Sequence, residues 1–226
     1  DVNYAPGWPV AGAFDGQVLF DEGKFSIDGD VRRLGKMAAS VVAEIPDVTA
    51  EDPTLALRAS LANTGARFLH ALTTLPFVDE ATGKQVRDVD VSGNIKASLF
   101  LKHAMVSNSQ DLKATLTLQG NGVPSLSGFP RLNAIRGKLE LSNSVLSAKK
   151  LNVVVDGQPT SLSGEVNLAS GPTGKVRLRT NAPHNFWVDL LNTVSSQKSE
   201  TPGWMTKLRG RGAWNAEVEL KKGQPP

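Results

Sequence analysis

The sequence repeats itself once along its 226 residues, and this repeat limits the folds that the chain can adopt. Residues 9–27 align with residues 130–148 without a gap, at an offset of 121 positions. A later segment that begins at Gly93 aligns with one that begins at Gly212, at an offset of 119 positions. Matching blocks that keep their order and nearly the same offset predict two tandem copies of one structural unit. In such proteins each unit packs mainly against its neighbour.

The repeat predicts two domains, over residues 1–121 and residues 122–226. Each domain is expected to contain several strands, then one helix, then a closing strand. Apolar residues at helical spacing predict a helix near residues 63–75 in the first domain and another near residues 183–195 in the second.

Alternation of apolar and polar residues predicts the strands of both domains. The closing strands are expected over residues 92–102 and 212–221, and residues 21–23 are expected to form a hairpin turn. A strand over residues 112–118 is expected to bridge the two repeats. The 21 glycines and 13 prolines are typical of many short strands joined by turns.

These elements predict a mainly β protein with two short helices and an apolar sheet face that the helices cover only in part. About ten strands at roughly 4.8 Å spacing make a sheet about 45–50 Å wide. A sheet of this size tends to twist and curl. The pattern therefore predicts a curled antiparallel sheet that forms an open groove built from two tandem repeats. It also allows a closed two-layer sandwich, in which the same apolar face is simply the core.

The alternating apolar positions are the candidate lining of such a groove. They are Val18, Phe20, Phe25, Ile27, Ile95, Leu99, Leu101, Leu139, Leu141, Trp214, Val218 and Leu220. Apolar helix residues are the candidates for a lid over part of it. They are Phe68, Leu72, Phe186, Trp187, Leu190 and Leu191.

The sequence offers little support for catalysis or for a bound metal ion or cofactor. It has no cysteine, and none of its three histidines lies in a metal-binding spacing. The carboxylate pairs Asp28/Asp30 and Asp88/Asp90 have a spacing at which acid–base chemistry is conceivable, but solvated strand ends are the better explanation. We therefore expect no catalytic residue, no metal site and no cofactor.

Charge and hydropathy narrow the range of partners. The net charge of +3 comes from Lys and Arg scattered among acidic residues, whereas nucleic-acid-binding proteins usually cluster their positive charge. No apolar run approaches the roughly 20 residues that a membrane-spanning helix needs. We interpret the chain as an excised piece and expect its targeting and anchoring signals to lie elsewhere.

Two segments resemble the bacterial YhdP proteins of the AsmA-like superfamily. They are residues 3–9 followed by 14–21, and residues 129–132 followed by 135–141. The resemblance implies repeating β-groove units, an architecture similar to that of TamB and of eukaryotic bridge-like lipid transfer proteins. It also implies a periplasmic protein that is anchored to the inner membrane through a segment absent from this sequence.

The resemblance implies a function in phospholipid traffic toward the outer membrane. Phospholipid acyl chains would lie in the groove, and neighbouring repeats of the same parent chain would extend it. A scaffold for envelope assembly that binds proteins through exposed strand edges is the alternative. The cut edges would also favour end-to-end self-association. An enzyme acting on envelope glycans is a third hypothesis.

Overall fold

The computed structural model describes six stretches of the chain, residues 11–34, 37–72, 91–123, 131–169, 173–194 and 209–221. These stretches contain eleven strands and two helices. The strands are β1 (Ala11–Asp21), β2 (Lys24–Leu34), β3 (Met37–Ile45), β4 (Thr54–Thr64), β5 (Asn94–Ala104), β6 (Gln110–Val123), β7 (Leu132–Ser142), β8 (Val145–Val155), β9 (Gln158–Asn167), β10 (Thr173–Pro183) and β11 (Arg211–Leu220). The helices are α1 (Gly65–Leu72), between β4 and β5, and α2 (His184–Val194), between β10 and β11.

All eleven strands of the described stretches belong to one sheet, in which each strand lies beside its sequence neighbours from β1 to β11. Every strand pair whose register is defined runs antiparallel. In the described stretches the order does not return from β11 to β1, so the sheet is open. This confirms the predicted mainly β fold with two short helices and one open antiparallel sheet. A sandwich would need a second sheet.

The predicted closing strands correspond to β5 and β11, with bounds shifted by one or two residues. The hairpin turn at residues 21–23 joins β1 to β2, and the bridging strand β6 extends well beyond residues 112–118. Helix α1 is shorter in the described stretches than the predicted 63–75, whose last three residues lie outside them. Neither helix of the described stretches is long and apolar enough to cross a membrane.

The strand boundaries repeat at the offsets of the sequence alignment. Strands β7, β8 and β9 each begin 121 residues after β1, β2 and β3, since 132, 145 and 158 exceed 11, 24 and 37 by that number. Strand β10 and helix α2 begin 119 residues after β4 and α1. Two compact units are distinguished, and the division of the chain between residues 121 and 122 stays a prediction. Unit 1 comprises residues 1–117 with 140–143, and unit 2 comprises residues 118–139 with 144–226.

Each helix is tied at its first residue to the segment that leads into the closing strand. In unit 1 the Gly65 N–H donates to the Gly93 carbonyl at 2.8 Å, and Phe68 is buried. A side chain at Gly65 would meet the side chain of Val91 at 2.5 Å, so this helix start requires glycine. In unit 2 the His184 N–H donates to the Gly210 carbonyl at 3.1 Å. The helices therefore lie at one end of the strands they follow.

Candidate functional site

The strand register in unit 1 brings apolar residues from several strands onto one face. Residues that are direct cross-strand partners point to the same side of a sheet. Val31, Ala39, Leu61 and Ala97 form one such row across β2, β3, β4 and β5. Two further rows run alongside it: Gly29, Val41, Ala59 and Leu99, then Ile27, Ala43, Leu57 and Leu101. These three rows, with their extension onto β1, are called the unit 1 apolar face.

On strand β1 this face continues with Phe14, Gly16 and Val18, which pair with Val31, Gly29 and Ile27. The Phe14 ring covers both glycines, since a β-carbon on either would come within 2.8 Å of it. The aromatic ring thus takes the place of side chains that the two glycines lack. The edge strand therefore carries its own part of the apolar face.

The opposite side of the same strands is polar. Asp15, Asp30, Ser40, Ser60 and Ser98 form a row across five strands. The Ser40 hydroxyl donates to Asp30 Oδ1 at 2.6 Å. Most side chains on this side are polar, although Leu19, Val42 and Phe100 also lie on it. The pattern indicates a mainly solvated face opposite the apolar rows.

The unit 1 apolar face is only partly covered. Its alanines are buried, and Ala39 is 4 % exposed, whereas Leu57, Leu61 and Leu99 remain half-buried. On β1 the exposure rises to 57 % at Val18 and 69 % at Phe20. A closed core buries its largest apolar side chains most completely. Here the alanines form the floor, and most of the large side chains still meet solvent, although Val31 and Leu101 are buried. This is the arrangement of an open apolar surface.

The predicted lining residues of unit 1 lie on this face at different depths. Phe25 and Ile27 of β2 and Leu99 of β5 are half-buried and accessible from the open side. Ile95 and Leu101 are on the same face but buried. They therefore pack beneath the accessible part of the face and contribute little exposed surface to it. Alternation in the sequence identifies the face of a residue but not how far its neighbours cover it.

Unit 2 carries a corresponding face, called the unit 2 apolar strip. Its rows are Leu151, Leu162, Leu178 and Ala216, then Ala148, Gly164, Val176 and Val218, then Leu146, Val166, Gly174 and Leu220. Burial changes along β8, since Val155 and Val153 are nearly inaccessible while Ala148 and Leu146 are half-buried. The strip is therefore closed near the β8–β9 turn and accessible toward Leu146.

The predicted lining and lid residues of the second repeat are placed as follows. Trp214, Val218 and Leu220 lie half-buried on the strip. Leu139 and Leu141 are half-buried on β7 and alternate with exposed charged residues. Phe186 and Trp187 of helix α2 are buried. The side chains of Leu72, Leu190 and Leu191 lie outside the described part of the structure.

An aromatic cluster forms the closed end of the strip. The rings of Trp187 and Trp214 have their centroids 5.6 Å apart, and His184 lies 5.3 Å from Trp214. Phe186 meets Trp187 edge-on at 5.7 Å. Sequence reasoning identified both tryptophans but missed the buried His184, because the repeat alignment pairs it with Gly65 and so gives no signal there.

Unit 1 also has a shallow depression of about 730 Å³. Its lining combines Asp30, Ser40, Ser60, Ser98, Lys96 and threonines of β6 with Val31, Ala39, Leu61 and Ala97 of the first apolar row. The lining is therefore mixed, and size alone does not make the depression the candidate site.

The charged residues of unit 2 pair on the solvated side of the sheet. Arg177 donates to Glu217 Oε2 at 2.7 Å, and Lys175 Nζ lies 3.3 Å from Oε1. These hydrogen bonds, with the Arg177 bond as the largest cause, hold the pKa of Glu217 below its ordinary value of 4.5. In unit 1 a similar bond from Lys24 lowers the pKa of Glu44. All five residues are exposed or half-buried, which indicates solvated cross-strand ion pairs.

The acidic pair Asp28/Asp30, considered for catalysis, is not gathered into a site with other titratable groups. Asp28 is exposed on the polar side of β2 and pairs with Gln17 and Val42, while Asp30 accepts from Ser40. Asp88 and Asp90 lie outside the described residues. Within the six described stretches, no group of three or more His, Asp or Glu residues is placed to hold a metal ion.

Comparison with known proteins gives one match. The model of a protein family described as "YhdP protein" covers residues 1–225. No curated protein and no solved structure matches the chain.

Proposed function

The chain belongs to the YhdP family of the AsmA-like superfamily, and from this premise we propose that its apolar strand faces hold phospholipid acyl chains during transfer between the inner and outer membranes. Family membership suggests a lipid-transport protein of the cell envelope. In the proposal the chain works in the periplasm as one section of a longer groove, and a segment outside this sequence anchors it to the inner membrane. No chemical step is assigned to it.

The half-exposed apolar face of unit 1 is the observation that carries this proposal. Five strands contribute to it in register, and Phe14, Ile27, Leu57, Leu61 and Leu99 stay accessible on it. Contiguous exposed apolar surface on a protein marks a site that binds another apolar surface. A face that is apolar along whole strands fits an extended hydrocarbon chain better than a compact ligand.

Energetics favour an open face over a closed pocket for a transfer protein. Full burial of a 16-carbon chain is worth about 13 kcal/mol at roughly 0.8 kcal/mol per methylene. A pocket that recovered all of this would release lipid very slowly. A face that covers the acyl chain on one side recovers only part of this free energy. The acyl chain can then slide along the apolar rows without returning to water.

A pair of neighbouring substitutions on β5 tests the proposal. Leu99 lies on the unit 1 apolar face, and Ser98 lies on the polar side of the same strand. We expect the purified wild type and Ser98→Asp to carry phospholipid in native mass spectrometry and after solvent extraction. Leu99→Asp should lose most of it, because a carboxylate on the face is desolvated by the acyl chain. Equal lipid content in folded Leu99→Asp and Ser98→Asp would refute the proposal.

The second candidate function, a protein-binding scaffold, is favoured by the exposed edge strand. In the described stretches β1 pairs on one side only, with β2. Val18, Leu19 and Phe20 are each more than half exposed on it. An unprotected apolar edge is a template for strand addition. This function would appear in the same mass spectra as protein oligomers without lipid, and Val18→Lys/Phe20→Lys should abolish them.

A further inference from the structure

Two indole N–H groups at the closed end of the unit 2 apolar strip have no hydrogen-bond partner among the described residues. They are Nε1 of Trp187 and Nε1 of Trp214, and both atoms are buried. Trp187 itself is 96 % buried, since its relative exposure is 4 %. Most buried indole N–H groups in proteins find an acceptor. Two unpartnered donors in one aromatic cluster therefore point to an acceptor that the described residues do not supply.

Space for such an acceptor lies next to Trp214. Gly212 precedes Trp214 by two residues on the same side of β11. A β-carbon built on Gly212 would lie 3.4 Å from Trp214 Nε1, in ordinary contact, and apart from its chain neighbours would meet no other described residue within 4 Å. The missing side chain thus leaves room for an atom beside the donor. Trp187 and His184 stand around the same indole ring, with centroid distances of 5.6 and 5.3 Å.

The cluster stands at one end of a strip long enough for an acyl chain. Trp214, Ala216, Val218 and Leu220 succeed one another along one side of β11. Six residue steps at roughly 3.4 Å give a strip of about 20 Å. One acyl chain spans about 15 Å, half of the roughly 30 Å hydrocarbon core of a bilayer. A chain lying on the strip would therefore bring its head group to the tryptophans when its tail lies near Leu220.

We propose that Trp187 and Trp214 form a polar stop at the closed end of the strip, where their indole N–H groups bind the carbonyl or carboxylate oxygen at the head of an acyl chain. This inference rests on the proposed function and adds a defined orientation to it. Indole nitrogen donates and cannot accept, so these two N–H groups offer a hydrogen bond to acceptor heads and none to donor-only heads. A free fatty acid and a phospholipid ester both supply that oxygen.

Three 12-carbon probes that differ only in their heads test the inference. Laurate offers a carboxylate, methyl laurate an ester carbonyl, and dodecylammonium only donors. Trp214→Phe and Trp187→Phe keep an aromatic ring and remove the N–H. We expect each substitution to weaken laurate binding by roughly two- to tenfold, the value of one hydrogen bond. It should weaken dodecylammonium binding less, because an ammonium head offers the indole N–H no acceptor and loses only part of its attraction to the ring. Phe186→Leu, which removes a ring of the cluster but no donor, is the matched control and should not discriminate between heads.

The ester probe identifies the source of the oxygen. If the two tryptophan variants bind both laurate and methyl laurate more weakly than the wild type, the site takes a carbonyl oxygen shared by esters and acids. If they bind only laurate more weakly, the site takes free fatty acids. Equal effects on all three probes overturn the inference and leave the proposed function standing. Failure of every probe to bind the wild type refutes both.

Nuclear magnetic resonance of the wild type tests the contact without any substitution. The chain has four tryptophans, so four indole N–H signals are expected. Laurate should move the signals of Trp187 and Trp214 downfield, as a new hydrogen bond requires, while dodecylammonium should not. Unmoved signals at saturating laurate would show that the head group lies elsewhere.

Discussion

Ala13 and Ala134, which are 121 residues apart, both have a left-handed backbone, with φ of 55° and 51°. The turn residues Glu22 and Asn143 are separated by the same 121 positions and also have positive φ, 44° and 52°. The repeat therefore extends from apolar spacing to backbone conformations that alanine and glutamate rarely adopt. Alanine does not favour a left-handed backbone, so the sequence does not predict this conformation in the first strand of each repeat.

The left-handed alanine should make Ala134→Gly a stabilising change. Relief of the strained φ is worth roughly 1–2 kcal/mol and the added chain entropy of glycine costs about 0.5–1 kcal/mol. We expect the free energy of unfolding in urea to rise by about 0.5–1 kcal/mol. Ala216→Gly, at a regular position of β11, should instead lower it by about 1 kcal/mol. A loss of stability in Ala134→Gly equal to that in Ala216→Gly would contradict this reading of the strand.

The β7–β8 turn should stabilise β6 through a side chain. Asn143 Oδ1 accepts from the Leu112 N–H at 2.8 Å, and the Asn143 N–H donates to the Leu112 carbonyl at 2.6 Å. Asn143→Gly keeps the left-handed turn and loses only the side-chain hydrogen bond, so we expect the free energy of unfolding to fall by about 1 kcal/mol. Asn143→Ala loses the hydrogen bond and also strains the turn, so its free energy of unfolding should fall by about 1 kcal/mol more.

Hydrogen exchange at the Leu112 amide checks this directly. Both variants should speed its exchange, because the acceptor of this N–H is gone. Unchanged protection of Leu112 in Asn143→Gly would mean that the side chain is not its acceptor in solution.

The ion pairs of Glu217 should make part of the folding stability depend on pH. The folded-state pKa of Glu217 is lowered, chiefly by the Arg177 hydrogen bond, so below pH 4.5 the unfolded state binds more protons than the folded state. Its contribution is therefore complete above pH 4.5 and is lost as the pH falls through the lowered pKa. Melting temperatures of wild type and Glu217→Gln should converge over that range.

A variant without the two cationic partners is the control for this acid dependence. Arg177→Met/Lys175→Met should show the same convergence with the wild type, since it removes the cause of the lowered pKa. Parallel melting curves for wild type and Glu217→Gln down to pH 2.5 would show that the pair contributes no pH-dependent stability.

Much of the fold was predictable because one face of each strand is apolar. Alternation at Ile95, Ala97 and Leu99 identifies both the strand and its apolar side, and the offset of 119 assigns the same pattern to β11. Proline and glycine mark the turns. The open strand order was predictable only from the imbalance between a wide apolar sheet and two short helices, which allowed a sandwich equally well.

The depth of each lining residue was not predictable, because it depends on neighbours from other strands. Ile95 and Leu99 have the same alternation, yet Ile95 is buried and Leu99 is half-buried. The contact of Trp187 with Trp214 joins a helix to a strand across 27 residues and has no signature in local spacing. His184 was missed for the same reason.

Quenching of a single fluorescent label by lipid is the most direct test that the apolar face receives acyl chains. The chain has no cysteine, so Val41→Cys and Val42→Cys place one bimane label on either side of β3. Val41 pairs with Gly29 and Ala59 on the apolar face, while Val42 pairs with Asp28 and Arg58 on the polar side. Phosphatidylcholine carrying a doxyl group on its acyl chain should quench the label at position 41 and leave the label at position 42 bright. Equal quenching at both positions, or none at position 41, would contradict an acyl-chain site on this face.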